Sequence, residues 1–515
     1  GTNIFDIVLL SPVLVAPRAT AQPMLLVSGS LLSNTTEDNH QRQSTCHIRW
    51  CRVFHRGRDV SQKEPGAPSA LTADQKTTRK AVTAAAIGNA TEWYDFGVYS
   101  YLAVIIGLVF YPSQSTGVQL LATFTTFAGA FLVRPLGGMF FGPLGDRIGR
   151  KQVLAITMLL MAVSTFSIGI LPSAETIGVL APILLLIARM LQGFSTGGEY
   201  GGATTFIAEY APDKRRGFLS SWLEFGTFSG YVGGASLVTV MTLLLGDEAM
   251  LAWGWRIPFL LALPLGTIGL YLRVKLEDTP VFQQHTEGFA KDSRGKRRKG
   301  QLKETVLDQW HAILLCIGLV LVFNVNNYMV TAYLPTYMNA ELGHSTTMGL
   351  VATLGAMVFM LAVVSLVGRF SDRDGRRPVL LSGSVLAIVL SLPAFWLMQT
   401  SSFWTIAVGV LLLAVTLVHF SGTAPSTLPA FFPTSVRYGA LAISFNVSVA
   451  LFGGTTPLLA EWLIQLTGSL YSPAWLLMIA GLIGALVVWR MQESAGRPLP
   501  GAPPIPERSN PRKPT

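Results

Sequence analysis

The distribution of apolar residues constrains this chain more than any other feature of its sequence. They fall in blocks of about twenty residues, the length at which a helix crosses a hydrocarbon layer of ~30 Å. Half of all residues are hydrophobic and 13% are charged, whereas soluble domains average roughly a quarter charged residues. Twelve such blocks lie near 83–110, 117–143, 152–171, 176–205, 218–246, 251–273, 309–335, 346–368, 378–398, 403–424, 437–463 and 470–490. The sequence therefore predicts an all-α integral membrane protein with twelve transmembrane helices, and it argues against a soluble enzyme.

The positive charge of the chain follows the order of the loops. The net charge is +10, and Lys and Arg cluster in every second loop, whereas the loops between these clusters contain neither residue. The basic segments are 76–80, 147–151, 214–216, 273–303, 369–377 and the tail after 490. This is the positive-inside pattern, and it places both termini in the cytoplasm. We therefore interpret the basic charge as a topology signal and expect no nucleic-acid partner.

A loop motif occurs twice in the chain. GPLGDRIGRK begins at Gly142, and GRFSDRDGRR begins at Gly368. A second pair of similar segments, around Arg216 and Arg437, has nearly the same separation. Two unrelated landmarks with one offset indicate two homologous six-helix halves, an arrangement in which the substrate binds between the halves near the middle of the membrane.

The duplication and the composition together predict the domain boundaries. The first segment is polar and lacks sustained periodicity, so we expect it to be disordered. The predicted units are an N-terminal extension (1–78), a first six-helix half (79–274), a basic cytoplasmic linker (275–306), a second half (307–492) and a Pro-rich cytoplasmic tail (493–515).

The repeated loop motif has the composition of a gate. Gly allows two helices to approach closely, Asp can lie at the N-terminus of a neighbouring helix, and the Arg residues can pair with carboxylates. Such contacts would hold one face of the protein closed and break when it opens. The predicted gating residues are Gly142, Gly145, Asp146, Arg150, Arg216, Asp372 and Arg376.

Ionisable residues inside the predicted spans are concentrated in the first half. Such residues are costly in a membrane and usually functional. In the second half, only His419 and Glu461 interrupt the spans. We therefore expect proton coupling to belong to the first half, with the candidates Glu92, Asp95, Arg134, Glu199 and Glu224.

Span 1 carries two carboxylates within one helical turn. At about 100° per residue, Glu92 shares a face with Asn89 and Tyr99, and Asp95 lies some 60° away. Two carboxylates this close are not easily both charged in a low dielectric, so one should carry a proton. We predict Glu92 as the proton carrier. A static ion pair with Arg134 of span 2 is the alternative, and the two interpretations are compatible.

Several long segments identify a family. They are GNATEWYDFGVY, VRPLGGMFFGPLGDRIGRK, RMLQGFSTGGEYGGATTFIAEYAPDKRRG, WGWRIPF and STLPAFFPTSVRYGALAISFN. In this order, and over about residues 80–498, the chain resembles the metabolite–proton symporters of the major facilitator superfamily. The resemblance implies the major facilitator fold and uptake of small compatible solutes, such as proline or glycine betaine, together with a proton. It also implies a bacterial inner-membrane location.

Recognition of such a zwitterion requires a cation for its carboxylate and aromatic faces for its ammonium group. Arg134 can bind the carboxylate through two parallel hydrogen bonds, and aromatic rings attract the ammonium group by cation–π interaction. Amides in span 7 can line a cavity or join helices. The candidate substrate-binding residues are Asn89, Trp93, Tyr94, Tyr99, Arg134, Gln192, Asn324, Asn327 and Tyr328.

Two other functions compete with this one. Proton-coupled import of a carboxylate (citrate, 2-oxoglutarate or shikimate) would favour further cations in the cavity, and the second-half spans offer none. A membrane enzyme or a non-transporting sensor is more distant, because the sequence has no metal-spacing cluster, nucleophile elbow or phosphate-binding loop. We therefore expect no catalytic residue, no metal and no cofactor, and as partners a small solute, protons and the lipid bilayer.

Overall fold

The computed structural model describes residues 75–112, 115–148, 150–197, 199–277 and 308–505. Almost all of the predicted extension (1–78) and linker (275–306) lies outside these residues. The side chains at 75–81, 142–143, 145–151, 154 and 272–277 also lie outside the description. The structure therefore describes only the backbone of the predicted gating residues Gly142, Gly145, Asp146 and Arg150.

The described residues are predominantly helical and contain no β-strand. Eleven helices precede the linker: α1 Gln75–Tyr101, α2 Ala103–Phe110, α3 Thr116–Leu132, α4 Arg134–Ile148, α5 Arg150–Ile170, α6 Ala174–Ile177, α7 Leu180–Thr196, α8 Glu199–Tyr210, α9 Arg216–Ala249, α10 Arg256–Leu260 and α11 Ala262–Glu277. Eight follow it: α12 Trp310–Tyr328, α13 Leu334–Thr336, α14 Thr346–Asp374, α15 Arg376–Met398, α16 Phe403–Thr427, α17 Arg437–Ser448, α18 Thr456–Thr467 and α19 Ser472–Arg490.

These helices account for all twelve predicted spans. Within the described ranges, nine helical stretches are long and apolar enough to cross a membrane, and the pair α1–α2, bent by 63°, makes a tenth. Two shorter apolar helices, Ala155–Ile170 and Arg256–Tyr271, fall in the third and sixth predicted spans. The prediction of an all-α membrane protein is confirmed.

Several spans depart from regular α-helix. Span 1 bends at Leu102, whose φ of −101° and ψ of 11° are not helical. Span 7 contains two π-helical segments, Met329–Tyr333 and Tyr337–Glu341, and span 11 contains a third, Val449–Gly453. π-Helical turns are rare and are frequent at functional sites. Span 7 therefore departs from regular α-helix at two places, and a further π-helical segment, Met250–Gly254, lies between spans 5 and 6.

Glycines set the spacing between the spans that carry the central site. A Cβ atom at Gly197 would lie 2.0 Å from the carbonyl oxygen of Arg134, and one at Gly230 would lie 2.2 Å from that of Ala90. Because no side chain fits at these distances, α7 packs directly on span 2, and α9 packs directly on α1. Backbone contact at these two positions fixes Arg134 and the polar face of span 1 relative to spans 4 and 5.

Candidate substrate and proton-coupling site

A buried ion pair lies at the centre of the first half. Arg134 Nη2 donates to Glu92 Oε1 at 3.0 Å, and both side chains are buried, with Arg134 0% and Glu92 2% exposed. Arg134 Nε and Nη1 have no hydrogen-bond partner among the described residues. A buried cation with free donors is costly unless an anion satisfies them. The arrangement can therefore bind a carboxylate at Arg134.

Aromatic rings from both halves surround this ion pair. The ring centroid of Trp93 lies 5.5 Å from Tyr231 and 6.0 Å from Tyr328, and Phe131 lies 5.2 Å from Tyr328. The Arg134 guanidinium carbon is 5.7 Å from the Phe96 ring and 5.6 Å from the Phe131 ring. These rings supply the negative faces that a positively charged ammonium group requires.

The second carboxylate of span 1 belongs to a separate network. Thr165 Oγ1 donates to Asp95 Oδ2 at 3.0 Å, and Gln192 Nε2 donates to Thr165 Oγ1 at 3.0 Å. Arg189 donates in turn to Gln192 and is close enough to Asp95 to attract it electrostatically. Among the described residues, Asp95 forms no direct ion pair of the kind that joins Glu92 to Arg134.

Arg189 resembles Arg134 in its surroundings. Its guanidinium carbon lies 4.1 Å from the centroid of the Tyr99 ring and 5.2 Å from that of Phe96. Its Nε and Nη2 atoms have no hydrogen-bond partner among the described residues. The ring of Phe96 is therefore in contact with both buried guanidinium groups.

Two further predicted coupling residues contact other parts of the first half. Tyr200 donates its hydroxyl proton to Glu224 Oε1 at 2.6 Å, and Thr157 Oγ1 donates to Glu199 Oε1 at 2.9 Å. The ring of Tyr200 stacks on that of Phe445 in the second half, with centroids 4.0 Å apart. Glu224 is therefore linked to the contact between the halves.

The structure separates the predicted substrate-binding residues into two groups. Trp93, Arg134 and Tyr328 meet around the central ion pair, and Asn89 supports Trp93 by accepting its indole N–H at 3.1 Å. Buried polar atoms without a partner in the described chain occur at Asn324 (Nδ2), Asn327 (Oδ1) and Tyr328 (hydroxyl).

The second group consists of Tyr94, Tyr99 and Gln192, and the hydroxyl groups of its two tyrosines have protein partners. Tyr94 donates to the carbonyl oxygen of Pro258 at 2.9 Å, and Tyr99 donates to that of Thr123 at 3.1 Å. Gln192 lies in the Asp95 network. A substrate role for these three residues stays a prediction, and the geometry gives it less support than for the first group.

The sequence-based reasoning did not find several residues of this site. Tyr231, Phe131 and Thr165 are absent from the predicted set, although the ring of Tyr231 lies 5.5 Å from that of Trp93. Arg189 was also missing from the predicted set, and among the missed residues it alone has a sequence signal, a charge inside an apolar span. The others are ordinary aromatic or hydroxyl residues, which sequence alone does not distinguish from packing residues.

The two halves are joined at the end of the molecule that carries the basic loops, called here the basic end. Asp372 of the repeated motif accepts hydrogen bonds from the backbone N–H groups of Gly217 and Phe218, at 2.7 and 2.9 Å. Arg437 Nη1 pairs with Glu209 Oε1 at 2.5 Å. Because each contact joins the first half to the second, together they close this end.

The chain after span 12 runs across the same end. Arg216 donates to the carbonyl oxygen of Arg497 at 3.0 Å, and Arg437 donates to that of Pro500 at 2.7 Å. Residues 493–505, called here the strap, therefore contact an arginine from each half. The predicted gating residue Arg376 also binds the strap, since its Nη1 donates to Ser494 Oγ at 2.8 Å.

A cavity of about 240 Å³ lies toward the opposite end of the helices. Its lining comes from spans 1, 5, 7 and 8 and includes Tyr101, Thr242, Thr336, Asn339, Thr346 and Leu350. Tyr101 also donates to the sulfur of Met357, at 3.5 Å, across the two halves. The described chain groups no three His, Cys, Asp or Glu side chains that could hold a metal ion.

Two six-helix halves, a polar site between them and a closed basic end define a secondary transporter of the major facilitator class. A family model for sugar (and other) transporters matches residues 81–505. The chain belongs to this family.

Curated relatives cover most of the chain. The glycine betaine/proline/ectoine/pipecolic acid transporter of Dickeya dadantii is 50% identical over 434 residues, which is 84% of this chain and 86% of that protein. The proline/betaine transporter of Escherichia coli K12 is 49% identical over 84% of this chain and 87% of its own length.

Solved structures show the same fold at low identity. A major facilitator proton:xylose symporter bound to 6-bromo-6-deoxy-D-glucose has a TM-score of 0.65 and 20% identity, over 82% of this chain and 98% of that chain. A partially occluded inward-open form of the E. coli xylose transporter has a TM-score of 0.63 and 18% identity, over 82% and 100%. The predicted major facilitator fold is confirmed.

Proposed function

We propose that this transporter takes up a small zwitterionic compatible solute, such as proline or glycine betaine, together with a proton. The observation that supports this most directly is Arg134, which is fully buried and has two nitrogen atoms without a partner beside a group of aromatic rings. The names of the relatives, which include proline and betaine, agree with this chemistry.

The two charges of a zwitterion fit two parts of the site. Its carboxylate would accept a charge-assisted hydrogen bond from one of the two unpartnered donors of Arg134, Nε or Nη1. Its ammonium group would lie against Trp93 and Tyr328, with Glu92 supplying the opposite charge nearby. Both halves then contact one small molecule, as alternating access requires.

Asp95 is the better candidate for the proton carrier. Glu92 forms a direct ion pair with Arg134, whereas Asp95 accepts a hydrogen bond from the neutral hydroxyl of Thr165. A carboxyl group without a direct ion pair can gain or lose a proton at lower cost than one that must first separate from a cation. This proposal moves the coupling role from Glu92 to the other carboxylate of the predicted pair.

The topology and the location belong to the same proposal. The positive-inside pattern assigns the basic end to the cytoplasm, with both termini there, and the family of bacterial relatives favours the inner membrane. In this orientation the described conformation is closed toward the cytoplasm, and Asp372, Arg376 and Arg437 contribute to the closure.

Uptake into proteoliposomes tests this function. Labelled proline, glycine betaine and citrate would be offered separately, with and without an inward proton gradient, and empty liposomes would serve as the control. We expect gradient-driven accumulation of proline or glycine betaine and little of citrate. Accumulation of citrate alone would instead favour the carboxylate importer.

The carboxylate importer has one structural argument in its favour. Arg189 is a second buried guanidinium group with unpartnered nitrogen atoms near Phe96, and two cations could bind a dicarboxylate. Against this, Arg189 is held in the Asp95 network through Gln192. In the described second-half spans, the buried cations Arg376 and Arg437 lie at the basic end, away from the aromatic group.

A further inference from the structure

The second half contains a buried carboxylate that the proposed mechanism does not use. Glu461, in α18 of span 11, is 0% exposed. Tyr333 donates its hydroxyl proton to Glu461 Oε2 at 3.1 Å, and Gln465 Nε2 donates to Oε1 at 3.1 Å. No ion pair with Glu461 occurs in the part of the chain that the structure describes. A buried carboxylate without a cation is costly in its charged form.

Its neighbours show where a proton would enter. Glu341, at the end of span 7, is only partly buried and lies within hydrogen-bonding reach of Glu461. Two carboxyl groups form a hydrogen bond with each other only when one of them carries a proton. Glu341 therefore connects Glu461 to solvent at the end opposite the basic loops.

The two donors that bind Glu461 also touch the first half. The side chain of Gln465 lies against Gly117 at the start of α3, where a Cβ atom would be 2.6 Å from its amide. The ring of Tyr333 lies 5.8 Å from that of Phe124, also in α3. Glu461 thus orients two of the side chains through which spans 7 and 11 contact span 2 at this end.

We propose that Glu461 is a positioning residue of the transport cycle, which closes this end against span 2 while it shares a proton with Glu341. When the proton leaves, the two adjacent carboxylates repel each other. That repulsion moves span 7 away from span 11 and weakens the contacts of Tyr333 and Gln465 with α3. Closure therefore takes up a proton, so it is favoured at low pH and weakened as the pH rises.

The surroundings contain few groups that could produce the same effect. Tyr333 and Glu341 face Glu461 from span 7. Tyr337 lies beside Tyr333, with ring centroids 6.0 Å apart, and Tyr471, before span 12, lies near Tyr337. The α3 segment Thr116–Leu132 contains no titratable side chain, and the one cation of α19 is Arg490 in its last turn. Tyrosine hydroxyls stay protonated near neutral pH, so Glu341 and Glu461 are the groups that titrate.

A distance measurement tests the proposal. Spin labels would be placed at Ser115 and Thr467, on either side of the contact, in a full-length protein whose Cys46, Cys51 and Cys316 are replaced by Ser, and the protein would be studied in proteoliposomes without substrate. We expect acidic buffer to enrich the short-distance population by about tenfold relative to alkaline buffer. In Glu461→Gln, the short-distance population should prevail at both pH values.

The control variants separate titration from loss of structure. Glu341→Gln, at a partly exposed position, should remove the pH dependence in the same way, so the test does not rely on one variant. Tyr333→Phe keeps both carboxyl groups and should retain the pH dependence. A parent distance that does not change with pH, or a change that persists in both Gln variants, would overturn the proposal.

This inference rests on the proposed proton-coupled transport, but different measurements can disprove the transport function and the role of Glu461 in closure. The distance readout needs no substrate and no gradient. Asp95→Asn should abolish gradient-driven accumulation and leave the pH-dependent distance intact. If uptake is proton-coupled and the distances do not respond to pH, Glu461 has no part in closure, whereas the function stands.

Discussion

The centre of this transporter and its basic end bury their charges in different ways. At the centre, the guanidinium groups of Arg134 and Arg189 each have two nitrogen atoms without a partner. At the basic end, the carboxylates of Asp372 and Glu493 accept backbone N–H groups from the opposite half or from the neighbouring helix. The central guanidinium groups retain donors for an anion, whereas the hydrogen bonds at the basic end are already formed within the protein and stabilise one conformation.

The largest expected effect concerns the proton carrier at the centre. Asp95→Asn removes a titratable group without changing its size, so substrate exchange across the membrane should continue while accumulation against a gradient is lost. Glu92→Gln is the matched variant, because it alters the carboxyl group that is already paired with Arg134. Counterflow exchange and pH-driven accumulation would be measured in the same proteoliposomes. Normal accumulation by Asp95→Asn, with loss in Glu92→Gln, would return the carrier role to Glu92.

The next effect concerns binding at the same site. Arg134→Lys replaces a planar fork by a point charge, and the loss of one charge-assisted hydrogen bond costs about 2 kcal/mol, or about 30-fold in affinity. Arg189→Lys is the matched control and should change affinity less, because Arg189 is held by Gln192 and lies beside Asp95. Equilibrium binding of labelled proline or betaine measures both. A larger loss in Arg189→Lys would move the carboxylate site to Arg189.

These two predictions also show what the sequence could and could not predict. Helical periodicity placed Glu92 and Asp95 within one turn of span 1, and the cost of an unpaired charge in an apolar span made Arg134 of span 2 a candidate ion-pair partner. Both Trp93 and Tyr94 were predicted to bind substrate, although one residue turns a helix by about 100°. In the structure only Trp93 lies at the central ion pair, and the hydroxyl of Tyr94 donates to Pro258 instead. Tyr231 shows no sequence signal, because its role depends on how closely α9 packs on α1.

The strap shows a second limit of sequence reasoning. Arg216 and Arg437 bind carbonyl oxygens of Arg497 and Pro500, and every residue carries such an acceptor. The residue types at positions 497 and 500 therefore do not indicate these two contacts, whereas the carboxylate of Asp372 did. Side-chain chemistry is readable from a sequence, but an acceptor on the main chain becomes specific only in the folded protein.

A smaller effect is expected at the basic end. Asp372→Asn leaves one acceptor oxygen where the carboxylate offers two, so the closed conformation should lose about 1–2 kcal/mol, or roughly 5- to 30-fold in its population. Substrate affinity should change little, because Asp372 does not contact the central site.

A cysteine placed at Gly201, which lies against Ala442 of the second half, measures this loss. Its reaction with a thiol reagent should become faster in Asp372→Asn. Unchanged reactivity with reduced affinity would contradict the gating role. Asp146→Asn, in the first copy of the motif, is predicted to cut turnover in the same way.

The smallest expected effect is the response of the strap to pH. Burial alone would raise the pKa of Glu493, but hydrogen bonds from the backbone N–H groups of Arg377, Ala495, Arg376 and Ser494 outweigh it, and the pKa lies below its ordinary value. A group with a lowered pKa contributes stability above its ordinary pKa and loses it as the pH falls through the lowered value. Attachment of the strap should therefore be the same in neutral and mildly acidic buffer.

A cysteine at Ala502 measures this attachment through its reaction with a maleimide in inside-out vesicles. We expect equal rates in neutral and mildly acidic buffer for the parent. Glu493→Gln should react several-fold faster at both pH values, because a neutral amide accepts the four N–H groups more weakly than a carboxylate. A parent rate that rises already in mildly acidic buffer would mean that the strap responds to pH through another group. The basic end would then respond to protons, as proposed for Asp95 at the centre and for Glu461.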